Sequence, residues 1–328
     1  MSLSKIAKLI IFLIGLGLLF FLIYRVGPSE IVKAFSEAKL YYIVSAVFVY
    51  ILLIATRSLK WFLMVRIFEN KIKYRQFLPI YLFNSLMGSI TPLKSGEAIT
   101  PVLFNKYFKI PVGRGFSVIV LDRFFELAIF TLVLTASIVY ILNSGIQNDL
   151  LLRFFRGALA VIFLALFLMV AALISKRITL RMLKFFRIIR FAEKETDAFY
   201  DALPLLKNKK AYLFLTPLTV LCWFFEISSS YLMYNSVFPA PFLISASISM
   251  VTGAATFATF IPGGIGVIEV GVAYLFGLFG YSTVSAASSV ILARVFLTGT
   301  LFISGLLGLI FVNYFKKDRM TANPALKK

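Results

Sequence analysis

Long apolar runs recur along this chain, and they fix the class of fold before any motif is considered. Residues 6–26, 40–64, 116–142, 155–174, 212–237 and 286–313 are each about as long as the roughly 20 residues a helix needs to cross a bilayer. In hydrocarbon every backbone N–H and C=O must be bonded inside the segment, which leaves the helix as the spanning element here. Hydrophobic residues make up 60% of the 328 and charged residues only 15%. The longest polar-containing stretch runs to only about 35 residues, too short for an independent soluble domain. The expected fold is an all-α polytopic membrane protein, with about six full spans plus two re-entrant half-helix hairpins in one transmembrane domain over 1–328. Lys5 and Lys8 precede the first run with no small-residue cleavage site after it, so 6–26 reads as an anchor rather than a cleaved signal.

The net charge of +20 comes from Lys and Arg gathered in short loops between the apolar runs. That is the positive-inside pattern, and it argues against nucleic acid as a partner. It places both termini in the cytoplasm of a multi-pass protein of the cell membrane. The single cysteine, Cys222, excludes an internal disulfide, and the lack of histidine removes most zinc sites and His-based catalysis. No cofactor motif is present. Residues 176–210 form a basic segment whose middle, ITLRMLKFFRIIRF, mixes apolar and basic residues at helical spacing, as a helix lying on the membrane surface does.

Two regions break the pattern. Residues 77–89 are apolar but too short to cross; TPLKSGE follows, with Pro92 and Gly96 as breakers, and then a second short piece over 98–108. Residues 242–260 run into IPGGIGVIE, with Pro262, Gly263, Gly264 and Gly266, and a short piece over 270–279. Each reads as a re-entrant hairpin, the first entering from the basic side and the second from the other.

The two regions also resemble each other. Pro92-x-x-x-Gly96 matches Pro262-x-x-x-Gly266, and an acid follows each, Glu97 and Glu269. Arg123 lies 31 residues after Pro92, and Arg294 lies 32 after Pro262. The halves, about 40–142 and 211–313, then form a probable inverted repeat, an arrangement that in transporters puts the site near the midplane. Chance likeness between Pro/Gly-broken apolar segments is the alternative.

An ionisable group in a span costs roughly 2.5–3.5 kcal/mol at its centre on insertion scales, so such groups usually face protein or a wet cavity. The candidates are Arg57, Lys94, Glu97, Asp122, Arg123, Glu126, Glu226, Glu269 and Arg294. Arg123 and Arg294 lie about 12 Å deep from opposite faces. Asp122 and Glu126 share a helix face, and Arg123 could pair with Glu126. In one reading Arg123, Arg294 and Lys94 hold an anionic headgroup, with the half-helix N-termini adding N–H groups and dipole. In the other, the arginines and acids only tie the broken helices together, with Glu97 and Glu269 as first-turn caps. The glycines at 263, 264 and 266 lack a Walker or Rossmann context, and flexibility or close packing explains them without phosphate. Arg57 and Trp61 read as an interfacial anchor pair.

RSLKW, TPLKSGEAITPVL, LDRFFEL and PGGIGVIEVGV, in this order, resemble the transmembrane, flippase-like region of lysylphosphatidylglycerol synthases and the related uncharacterised membrane proteins. The resemblance covers nearly the whole chain. It implies movement of a lipid or lipid-linked group between leaflets, and a basic contact at Lys94, where relatives often carry arginine. The soluble aminoacyl-transferase domain of complete synthases is not in this sequence, so lysyl-lipid synthesis is not implied. Ala293 stands where the first repeat has Asp122, so the repeats differ chemically.

The expected function is therefore a lipid translocase for an anionic or phosphate-linked lipid, and not an enzyme. The alternatives are a membrane-embedded transferase or hydrolase using Asp122, Glu126, Glu226 or Glu269 as base or metal ligands, or a non-catalytic scaffold. Expected partners are membrane lipids, with a second copy of the chain or a separate lipid-modifying enzyme as protein partner.

Overall fold

The computed structural model describes residues 13, 17–146, 149–174, 197–201, 209–259 and 261–322. Among them there are helices and turns and no strand. Helix α1 covers Gly17–Val26. Gly27, at φ 91°, turns the chain into α2, Pro28–Glu37, which starts on a proline whose fixed φ suits the first turn. Helix α3 is Leu40–Arg66 and α4 is Tyr74–Ser89. A 3₁₀ stretch, Pro92–Ile99, leads into α5, Thr100–Phe108, and then α6, Val112–Asn143. Helix α7 is Asp149–Ile174 and α8 is Lys209–Val237. Helix α9, Phe242–Thr259, is followed by a second 3₁₀ turn, Pro262–Gly264, and by α10, Val267–Leu278. Helix α11, Thr283–Ala293, passes through a π turn at Arg294–Thr298 into α12, Gly299–Ala322.

Four helical stretches among the described residues are long and apolar enough to cross a membrane: Leu40–Arg66, Val112–Asn143, Tyr212–Val237 and Thr283–Val312. They coincide with four of the six expected spans. The span expected at 155–174 lies within α7, and of that expected at 6–26 residue 13 and residues 17–26 are described. The basic surface helix expected at 176–210 falls almost wholly outside the described residues.

Both expected breaks are present as 3₁₀ turns between short helices. Thr91 shapes the first: its hydroxyl donates to the Met87 carbonyl at 2.8 Å and accepts from the Gly96 N–H at 2.7 Å. That folds residue 96 back onto the end of α4, so close that a Cβ on Gly96 would lie 2.3 Å from the Met87 oxygen. A buried Thr100–Asn84 hydrogen bond ties α5 to α4. In the second break Gly263, Gly264 and Gly266 all have positive φ, at 60°, 62° and 83°. These are left-handed conformations that only glycine takes without penalty. Glu269 closes this turn by accepting the Gly266 N–H at 2.7 Å, a capping contact at the start of α10.

Among the described residues the two largest apolar cores lie at opposite ends of the bundle, with smaller clusters around Met233 and Leu121. One of the large cores gathers Trp61, Phe77, Phe104 and Phe125, and the other Phe130, Leu134, Ile248 and Phe276. Helix α6 starts in the first core (Val118) and finishes in the second (Ile138); the α11–α12 helix starts in the second (Val290) and finishes in the first (Val312). The two long helices therefore run in opposite senses. Helices α3 and α8 pack lengthwise and antiparallel, the Lys39 N–H before α3 donating to the Ser236 carbonyl near the end of α8 at 2.9 Å. Arg66, Lys71, Lys73, Arg75, Lys106 and Lys109 all lie in the loops and helix ends that border the first core.

The packing is crossed. Helix α12 lies against α4, and α6 lies against α9, so the long helix of each half grips the broken hairpin of the other. Gly305 and Gly308 allow the first of these contacts, facing Leu86 and the Pro79 carbonyl. The two 3₁₀ breaks touch each other.

Candidate functional site

Where the breaks meet, the intramembrane charges assemble into pairs. Arg123, on α6, reaches the carboxylate of Glu97 in the first break with Nη2 at 3.0 and 2.8 Å from its two oxygens. Arg294, in the π turn, donates from Nε to Glu269 Oε1 at 2.6 Å. The acid and arginine are 26 residues apart in one half and 25 in the other. Single π turns inside helices are frequent at functional sites, and this one carries the arginine. Glycine also makes room for the acid in the first pair: the Glu97 side chain lies over Gly88, where a Cβ would come within 3.0 Å of it.

A second cluster sits behind Arg123. Lys60, on α3, has 1% of its side chain exposed, and its Nζ lies 2.9 Å from Asp122 Oδ1 and 2.5 Å from Glu126 Oε1. Thr219 Oγ1 of α8 stands 3.5 Å from the same ammonium. Asp122 also faces Arg123, at 3.3 Å. Glu97, Arg123, Asp122, Lys60 and Glu126 therefore form one continuous line of alternating sign. Arg57 pairs separately with Glu226 at 3.0 Å.

The expected site residues thus lie in the structure as follows. Asp122 and Glu126 do share a face, and the cation they share is Lys60, a residue passed over in the sequence. Arg123 does not pair with Glu126, because Glu97 and Asp122 hold its guanidinium. Glu269 caps its helix and pairs with Arg294; Glu97 pairs without capping. Arg57 and Trp61 are not an interfacial anchor pair. Trp61 is 3% exposed and packs edge-on against Tyr81 at 5.9 Å, while Arg57 is bound to Glu226. The signal for Lys60 was the pair of acids four apart on a buried face, which demands a cation from a neighbouring helix.

Of the five acids Asp122 and Glu126 converge, and the point they share is the Lys60 ammonium; each of the five faces a basic partner. The arginines, by contrast, keep donors in reserve. A guanidinium has five N–H groups. Arg123 Nε and Arg294 Nη2 are buried without a hydrogen-bond partner among the described residues. A cavity of about 210 Å³ opens beside the first break, lined by Lys94, Ser95, Glu97, Ala98, Phe116, Ile119 and Arg123. One wall is basic and polar, the other apolar. Arg294 does not line it; its Nη1 faces Gly263 of the second break, 3.9 Å from where a Cβ would stand.

Lys94 has a left-handed backbone, φ 55°, and makes no ion pair with a described residue. Two residues after its proline, it occupies the place that Gly264, φ 62°, holds in the second break. The left-handed region costs a non-glycine residue roughly 1–2 kcal/mol. A lysine is therefore kept where glycine fits better, with its side chain on the cavity wall. Lys94→Gly is expected to leave stability unchanged or raise it by up to about 1 kcal/mol, because relief of strain outweighs glycine's extra chain entropy. In the reading in which Lys94 holds an anionic headgroup, the same change should sharply weaken lipid binding. Thermal unfolding in detergent and a lipid-binding titration on one preparation read the two effects separately.

Comparison with known proteins adds a family. The profile described as "Lysylphosphatidylglycerol synthase TM region" matches residues 6–305. A UPF0104 membrane protein of Methanothermobacter thermautotrophicus is 24% identical over 300 residues, covering 86% of this chain and 89% of that protein. A UPF0104 membrane protein of Methanocaldococcus jannaschii is 24% identical over 306 residues, covering 89% of each. No solved structure matches the chain.

Proposed function

The chain belongs to the lysylphosphatidylglycerol synthase TM-region family, and from that footing we propose that it is a lipid translocase for an anionic, phosphate-bearing lipid. The observation that carries this reading is the cavity at the first break. Its Lys94 and Arg123 suit a phosphate, its Phe116 and Ile119 suit the start of an acyl chain, and it lies beside the contact between the two breaks. The headgroup enters against Lys94 and Arg123 from the basic, cytoplasmic side. Arg294 and the glycine-rich second break then receive it from the opposite hairpin. The opposed sense of α6 and α11–α12, the crossed packing and the matched acid–arginine pairs support an inverted repeat with re-entrant hairpins, the architecture in which alternating access is built.

The test is movement of fluorescent phosphatidylglycerol between leaflets of vesicles holding the purified protein. One charge-assisted contact is worth about 1.5–3 kcal/mol, so Arg123→Ala and Arg294→Ala should each slow movement per folded protein by about ten- to a hundredfold. Wild-type vesicles that move neither phosphatidylglycerol nor a polyprenyl phosphate faster than empty ones would sink the reading.

A further inference from the structure

We infer that binding of a headgroup at Lys94 and Arg123 is coupled to uptake of one proton by Glu126. The inference rests on the headgroup site proposed above.

It starts from the signs of the charges. The line Glu97, Arg123, Asp122, Lys60, Glu126 holds three acids and two bases. The missing positive charge is Lys94, across the Arg123 end of the line on the cavity wall. With Lys94 the six groups are neutral. An anion that takes up Lys94 and the spare donors of Arg123 leaves the line one negative charge in excess. Lys60 and Arg123 must then balance three buried carboxylates between them, and a site of this depth takes a proton rather than hold an unpaired charge.

The geometry selects the acceptor. Both oxygens of Glu97 are bonded to Arg123. Asp122 faces Arg123 with Oδ2, and its Oδ1 lies 2.9 Å from the Lys60 ammonium without a hydrogen bond, but only 3% of its side chain is open to water. Glu126 has Oε1 on Lys60, while Oε2 makes no hydrogen bond to a described residue, and its side chain is 12% exposed. The proton adds to Oε2 from water, Oε1 goes on accepting from Lys60, and no other bond changes. The neighbours are accounted for: Arg57 and Lys60 on α3, Tyr81 on α4, Asp122 and Arg123 on α6, Cys222 and Glu226 on α8, and Lys94 and Glu97 in the break. Arg57 and Glu226 already neutralise each other. With headgroup bound and Glu126 protonated, Lys60, Arg123 and Lys94 balance Glu97, Asp122 and the phosphate. Linkage is reciprocal, so the same coupling tightens headgroup binding as pH falls.

Titration calorimetry of the full chain in detergent tests this with dioctanoyl phosphatidylglycerol as probe, at one pH, in buffers of different ionisation enthalpy. The slope of the observed heat against that enthalpy counts protons; about one should be taken up per lipid bound, as linkage requires. Glu126→Gln should abolish the uptake, and a variant that still takes up a proton overturns the assignment to Glu126. Should that variant fail to fold, the wild-type slope alone decides the coupling. Saturable binding with zero slope overturns the coupling and leaves the headgroup site standing. No saturable binding of the lipid overturns the headgroup site and the coupling together.

Discussion

Alanine at Lys60 is expected to destabilise the protein by about 3–5 kcal/mol, the range for a buried ion pair that loses one partner. Lys60 is fully buried, and two carboxylates point at its ammonium from 2.9 and 2.5 Å. Removing it leaves Glu126 with no ion pair among the described residues and Asp122 with only its 3.3 Å contact to Arg123. Solvent screening gives little relief, because Asp122 is 3% exposed at the side chain and Glu126 12%. The measurement is the yield and thermal unfolding of monodisperse protein in detergent. The triple change Lys60→Met, Asp122→Asn, Glu126→Gln should recover most of the lost stability, since removing all the charges of such a cluster is often neutral. An alanine variant that melts with wild type would show that Lys60 does not hold this cluster together.

A comparable loss is expected from Gly308→Leu. A Cβ at Gly308 would lie 2.7 Å from the Pro79 carbonyl oxygen and 2.8 Å from both Leu82 Cβ and the Phe83 nitrogen. Two of these are backbone atoms, which cannot turn aside as a side-chain tip can. Helix α12 must therefore move off α4, at a cost at or above about 3 kcal/mol, the upper end for overpacking. The control is Gly157→Ala on α7, which meets nothing within 4 Å. It should gain roughly 0.5–1 kcal/mol from helix propensity. Gly308→Leu protein with wild-type unfolding would show that the contact between α12 and α4 is dispensable.

Much of this molecule could be read from residues alone. Pro and Gly marked both breaks because they interrupt helices by their own chemistry, and the structure moves those boundaries by no more than about three residues, the usual scatter at helix ends. The matched spacing from proline to arginine foreshadowed the matched acid–arginine pairs. Lys60 escaped because it sits toward the basic end of α3, where lysines commonly lie at the interface; only the position of α6 beside it shows that it is enclosed. The same ambiguity misplaced Trp61, an aromatic that suits an interface and a core equally. The left-handed turn at Lys94 was illegible because a lysine carries no signal for a conformation that normally calls for glycine. Crossed packing was illegible for a deeper reason: which helix lies on which is a property of pairs, and a single sequence lists only positions.

The crossed packing also sets the order in which this protein can be made. The first hairpin, α4 to α5, is gripped by α12, and more than half of the chain must be synthesised after the hairpin before that helix exists. During that interval the first break, with Glu97 and the Met87 carbonyl at its heart, lacks the helix that will hold it. The second hairpin finds α6 already in place when α9 emerges, and α10 then packs against α11, the next helix to be made. The two hairpins thus have different histories, and a ribosome stalled before α12 would leave α4 without α12 while α5 already packs on α6.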